Sequence, residues 1–199
     1  MAPATARAIR GNGSVFLFPL IAFFMALLFL TACSPLRLTR PITKIGLVAP
    51  FEGKQRAIGY EALYAAKLAV RENNLAGGTE GWLVELVALD DGGQTETALR
   101  QARALAVDHD VMSVIGVMDA SGHPQARSAY ARLGLSVELV DPQGGDAVTV
   151  KPSASFDERY RAISGGAQPG ALAVRVYSAM QTALAHIEQS IRAHGRHLR

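Results

Sequence analysis

From Lys44 to Val140 the hydrophobic pattern switches between a strand period and a helix period in a regular order, and this switching limits the fold more than any other feature of the chain. Ile45 to Ala49 (IGLVA) is a short apolar run closed by Pro50, as a strand buried on both faces would be. Tyr60 to Asn73 reads as a helix, with Leu63, Ala66 and Val70 along one side and Lys67, Arg71 and Glu72 outside it. The glycine-bearing stretch Asn74 to Gly78 ends it. A second strand, Leu83 to Leu89, turns through Asp90-Asp91-Gly92-Gly93 into a helix that Thr95 is placed to cap and that runs to about Val107. Val111 to Val117 is a third strand, Pro124 suits the first turn of a third helix that ends at Gly134, and Leu135 to Val140 is a fourth strand. Four strands separated by helices specify an α/β fold, a doubly wound parallel sheet with right-handed crossovers. Beyond it, Gln143 to Ser155 is polar, and Phe156–Ile163 and Ala171–Ala193 read as extra C-terminal helices.

Ligands of such sheets bind at the carboxyl ends of the strands. The loops that matter are therefore Pro50–Ile58, Asp90–Gln94, Met118–His123 and Asp141–Gly145. The third carries Asp119, Ser121 and His123 within five positions, the letters of a hydrolase. A catalytic triad is a three-dimensional relation, however, and residues two apart on one turn do not satisfy it. The chain has no Gly-x-Ser-x-Gly elbow, no Gly-Lys-Ser/Thr after Gly122, and Pro50-Phe51-Glu52-Gly53 where a dinucleotide fingerprint would stand. No enzyme activity and no cofactor are expected. Asp90-Asp91 suits turn and helix capping better than an acid/base pair. His186, His194 and His197, near Arg192, Arg196 and Arg199, read as a solvated basic end, with a weak attraction to anionic lipid headgroups. Tyr60, Tyr64 and Tyr177 read as packing at the edge of the core. The single cysteine excludes an intrachain disulfide and leaves too few sulfur ligands for a metal site.

That cysteine belongs to a different part of the chain. Arg7 and Arg10 precede an apolar run from Val15 to Leu30, the layout of a signal peptide. The run ends in Leu30-Thr31-Ala32-Cys33, which resembles the lipobox of bacterial lipoproteins, so residues 1–32 are expected to be cut away and Cys33 to carry lipid. An uncleaved membrane-spanning anchor is the competing reading. Residues 33–43 would tether the domain, and 44–199 would form it. Residues 1–32 carry two of the 20 basic and none of the 17 acidic side chains, which leaves 18 against 17 and implies no nucleic-acid partner.

IGLVAPFEG, GYEALYAAKLAVRENN, VELVALDDGGQTETALRQARAL and VMSVIGVMDASGHPQA, in this order and spacing, resemble the type I periplasmic-binding-protein family, especially the leucine/isoleucine/valine-binding proteins of ABC importers. FDERYRAISGGAQPGALAVRVYSAMQTALAHIEQ resembles the late segment of that family, which returns to the first lobe as helices. Between the two matches the family carries a second α/β lobe, and here about a dozen residues, 143 to 155, fill the space. The resemblance implies one lobe of a clamshell with a half-site for an amino acid or small carboxylate. It implies an extracytoplasmic location, with an ABC permease as partner and the membrane reached through the lipid anchor. Hydroxyl side chains of the family's third loop hold the ligand's polar groups; Ser121 matches one such position, Ala120 takes another, and Ile58 stands where some members place an aromatic residue. The residues expected at the half-site are Phe51, Glu52 and Gly53 on the first loop, Ser121, Gly122 and His123 on the third, and Asp141 and Gln143 on the fourth. Two alternatives stay open: a one-lobe interaction or scaffold lipoprotein that binds no small molecule, and two copies completing one site.

Overall fold

The computed structural model describes residues 40–144 and 154–194. The stretch read as a signal peptide, Cys33 and most of the tether lie outside the described residues, as does 145–153 of the polar segment.

The elements follow the switching pattern. Strand β1 spans Ile42–Ala49, a single 3₁₀ turn covers Gly53–Gln55, and helix α1 runs over Arg56–Leu75. Then come β2 (Leu83–Asp90), α2 (Thr95–Val107), β3 (Val111–Val117), a 3₁₀ turn at Ala120–Gly122, α3 (His123–Arg132) and β4 (Ser136–Val140). Two further helices, α4 (Ala154–Ser164) and α5 (Ala171–His194), complete the described chain. The four strands form one all-parallel sheet in the order β2-β1-β3-β4.

The alternation of side chains along β1 decides what packs where. Ile45, Leu47 and Ala49 face a layer built by α1, α4 and α5, together with Ile115, Val117 and Val140. Val48 faces the opposite layer of α2 and α3, with Val111, Val114 and Val137. Gly46 shares that second face because a Cβ there would stand 2.6 Å from Leu105 Cδ1, so its bareness lets α2 lie close to the sheet.

Several boundaries differ from the sequence reading by a few residues, and three of the differences have a local reason. β1 begins at Ile42, inside the stretch read as tether, because Pro41 O accepts the Leu83 amide at 2.9 Å and starts the ladder with β2 early. α1 begins at Arg56, a turn before the apolar periodicity becomes visible, since its first turn carries only one large apolar side chain, Ile58, too few to mark a face. Thr95 does not cap α2 but is its first residue; Gln94 holds the capping position in extended backbone and makes no side-chain cap bond. The turn before it is held by Asp91, whose Oδ1 accepts the Gly93 amide at 2.8 Å and whose carbonyl accepts the Gln94 amide at 3.0 Å.

The C-terminal helices are tied to α1 by polar groups. Glu61 Oε1 accepts the amides of Gly170 (3.0 Å) and Ala173 (2.9 Å), satisfying donors that the start of α5 would otherwise leave unpaired. Tyr160 on α4 donates to the Glu61 carbonyl at 3.2 Å. Glu72 on α1 is bound by both Arg159 of α4 and Tyr177 of α5. Tyr64 and Tyr177 meet Tyr160 and Phe156 edge-on, the core-edge role expected of them.

Candidate functional site

The carboxyl ends of the strands converge on a small cleft of about 50 Å³. Pro50, Val117, Met118 and Pro142, which follow or close three of the strands, supply its apolar surface, with Ile58 of α1. Its polar lining comes from Gln55, Asp91, Gln94, Thr95, Asp119 and Ser121. Hydrogen bonds extend the sheet past its strands and fix the loops: Asp91 donates its amide to Ala49 O (3.2 Å) and Met118 to Val140 O (3.1 Å). Asp90 Oδ1 accepts the amides of Phe51 (2.6 Å) and Glu52 (3.2 Å), so the second loop sets the path of the first. Gly59 seats α1 beneath that loop, since a Cβ there would fall 2.1 Å from the Pro50 carbonyl oxygen.

Of the eight residues expected at the half-site, Ser121 lines this cleft. Gly122 is buried next to it, close to Thr95 Oγ1 and Met118 Sδ. His123 turns away: its Nε2–H donates to Met118 O at 3.0 Å, so that nitrogen is not offered to Ser121 as a base. Phe51 packs on the α1 layer, its ring edge-on to Tyr60 at 6.2 Å. Glu52 and Gly53 are exposed outside the cleft. Asp141 and Gln143 flank the lining residue Pro142, and Asp141 Oδ1 accepts the Gln143 amide at 2.8 Å.

The 3₁₀ turn alters what the start of α3 offers. Gly122 donates its amide to Asp119 O at 2.9 Å and His123 donates to Ala120 O, so these donors are used within the turn. Among the described residues the amides of Ala120 and Ser121 remain for a ligand. Asp119 sits at the turn's capping position but makes no side-chain cap bond.

The cleft is acidic. Asp91 is only 2% exposed, and burial pushes its carboxyl up to about 6 against the opposing pull of its bond to the Gly93 amide, with the Asp90 charge adding to the rise. Among the described residues no basic side chain lines the cleft. Among the described residues no three His, Cys, Asp or Glu side chains gather as a metal ion would need.

Gln55 and Arg175 were not singled out by the sequence, and Thr95 only as a helix cap. Gln55 and Thr95 belong to the first and second loop regions but carry no motif. Arg175, on α5, donates to the carbonyls of Asp141 (3.2 Å) and Pro142 (3.0 Å) and so holds the fourth loop from more than thirty residues away, a link that no local pattern carries.

Residues 42–134 match the family model described as periplasmic binding protein. Similar solved structures include a branched-chain amino acid transporter substrate-binding protein from Streptococcus pneumoniae in complex with isoleucine (28% identity, TM-score 0.46), over 49% of this chain and 28% of that one. Another is an ABC transporter substrate-binding protein from Desulfitobacterium hafniense in complex with Leu (29% identity, TM-score 0.45), over 50% of this chain and 29% of that one. The chain thus spans under a third of the length of either. A solute-binding protein of an ABC transporter from Rhodopseudomonas palustris, in complex with 3,4-dihydroxybenzoic acid, shares the fold at 11% identity and TM-score 0.52, over 75% of this chain and 81% of that one. No curated protein sequence matches the chain. Parallel topology, loop order and the match over residues 42–134, a little under half of the chain, agree: over that segment the chain resembles a lobe of the periplasmic binding proteins.

Proposed function

We propose that the chain is an extracytoplasmic solute-binding lobe of the kind that serves ABC importers, held to a membrane through lipid on Cys33, and that it binds rather than catalyses. The observation that carries this is the cleft at the strands' carboxyl ends, where the Ser121 hydroxyl and the amides of Ala120 and Ser121 form a polar edge against Val117, Met118 and Ile58. An amino acid or small carboxylate is the ligand class that the sequence resemblance implies. Phe51, Glu52, Gly53, Gly122, His123, Asp141 and Gln143 would shape the loops around it, and a permease would be the receiving partner.

Size argues that a lone lobe holds such a ligand on one side only. The cleft is about 50 Å³, whereas pockets that enclose small molecules run to roughly 300–1,000 Å³. The same observation favours a second reading, in which the lobe serves as an interaction module without small-molecule binding and a partner covers the cleft. A thermal-shift screen of the chain against amino acids and small carboxylates separates the two. A ligand at a hundredfold excess over its dissociation constant adds about 2.7 kcal/mol to the native state. A saturable shift that Ser121→Ala removes supports the receptor reading, and a cooperative melt that no ligand moves leaves the interaction module. A shift that grows with protein concentration at fixed ligand points to two lobes completing one site.

A further inference from the structure

Two carboxylates line the cleft, and the fold leaves both without a counter-charge. Asp91 is 2% exposed yet belongs to the lining, and one of its oxygens is used internally, Oδ1 accepting the Gly93 amide at 2.8 Å. Its other oxygen has no hydrogen-bond partner among the described residues. Asp119, on the third loop, makes no side-chain cap bond. Neither acid forms an ion pair among the described residues. A buried carboxylate with no opposite charge is costly, which is why burial raises the Asp91 pKa.

The surroundings do not cancel this charge. The turns at the strands' carboxyl ends, 50–56, 90–96, 118–123 and 141–144, hold six acids: Glu52, Asp90, Asp91, Glu96, Asp119 and Asp141. Against them stand Lys54 and Arg56, both exposed and outside the lining, with the Arg56 guanidinium over the Tyr60 ring at 5.8 Å. Arg175 reaches in from α5, but it is turned to the carbonyls of Asp141 and Pro142, and His123 is turned to Met118 O. The remaining polar side chains of the lining, Gln55, Gln94, Thr95 and Ser121, are uncharged. Size narrows the choice further. A water-sized group needs roughly 10–15 Å³, so the cleft of about 50 Å³ admits an ammonium and the carbons next to it, close to both acids.

We propose that this half-site selects its ligand by an ammonium group, which Asp91 and Asp119 hold against the apolar wall of Ile58, Val117 and Met118. The proposal rests on the receptor reading of the cleft and narrows it: of amino acids and small carboxylates, the cleft accepts the first and refuses the second. In an amino acid the carboxylate falls to the amides of Ala120 and Ser121, and the ammonium beside it offsets the charge of Asp119. A carboxylate without an ammonium meets both acids with nothing to offset them, so refusal is built from repulsion. An amine without a carboxylate keeps the attraction.

Three probes that share one carbon skeleton isolate the group: leucine, isopentylamine, which lacks its carboxylate, and isocaproate, which lacks its amine. Each is titrated against the full chain at about pH 8, above the range in which carboxylates take up protons, and the melting midpoint is followed. Leucine and isopentylamine should raise the midpoint to saturation, and isocaproate should leave it unmoved. Asp91→Asn keeps an acceptor for the Gly93 amide and should weaken isopentylamine about tenfold, the scale of a lost charge-assisted hydrogen bond. Asp119→Asn alters an exposed side chain, which leaves the turn intact, and should weaken it severalfold. Isopentylamine that fails where leucine binds, isocaproate that binds as tightly as leucine, or amine binding that survives both substitutions overturns the proposal and leaves the receptor reading standing. A melt that none of the three moves also overturns it, and the wider screen above then decides the receptor reading by itself.

Discussion

The two faces of the sheet are covered in different ways. The face under α1, α4 and α5 buries Tyr160, Met180, Ile187 and Ile115 with many smaller side chains, and its helices are cross-tied by Glu61 and Glu72. The face under α2 and α3 is thinner: alanines 98, 102 and 126 set its helix contacts, Leu105 and Tyr130 are its large buried groups, and Tyr130 Oη is buried without a hydrogen-bond partner among the described residues. Apolar area removed from water is the main stabilising term, so the first face anchors the lobe. The second face lies under two of the loops that line the cleft, those leading into α2 and α3. The cleft draws on both faces, Ile58 and Val117 from the first and Met118 from the second, so the main stabilising core lies on one side while the candidate site straddles the sheet's edge.

Truncation tests the contrast most strongly. Met180→Ala, at a fully buried position between α5 and the sheet, should destabilise by about 3–5 kcal/mol. Leu105→Ala should cost about 2–3 kcal/mol, because it lies on the thinner layer over Gly46, where α2 can settle onto the sheet. Urea unfolding of the two variants reads the difference, and equal losses would remove the distinction between the faces.

The next effect is pH-dependent and belongs to the cleft. Asp91 binds its proton more tightly folded than unfolded, since burial raises it from 3.8 to about 6. The native state then holds more protons than the unfolded chain between these values, and stability falls as pH rises from about 4 to about 6, by at most about 3 kcal/mol. Asp91→Asn keeps an acceptor for the Gly93 amide and should flatten this segment of the stability profile. A wild-type profile that rises across the window would refute the burial argument.

Smaller effects sharpen the comparison. Glu61→Ala leaves two amides at the start of α5 without their acceptor and should cost about 1–2 kcal/mol, whereas Glu61→Gln should recover most of it. Tyr130→Phe removes a buried hydroxyl that has no partner among the described residues and should be neutral or stabilising by up to about 1 kcal/mol, which differential scanning calorimetry would detect.

Most of the fold was legible because strand and helix periods differ sharply. β3 spans the very residues that the apolar run marks, and α2, α4 and α5 end within about a residue of the sequence reading. The start of α1 was not legible, since Arg56-Ala57-Ile58-Gly59 shows no apolar face. The site was legible at the level of loops but not of side chains. Ser121 reaches the cleft, whereas Phe51 turns to the core and His123 to a carbonyl, because partners distant in the chain decide each orientation. Asp90 reaching Phe51 and Arg175 reaching Asp141 are bonds of this kind.

The parallel sheet also works as a ruler. Because all four strands run the same way, the chain's arrival at Arg40 and the cleft at Ser121 stand at opposite poles, separated by the length of a strand. Eight residues of β1 span about 26 Å at the usual rise. The cleft is therefore held at a fixed distance from the residue at which the chain enters the sheet.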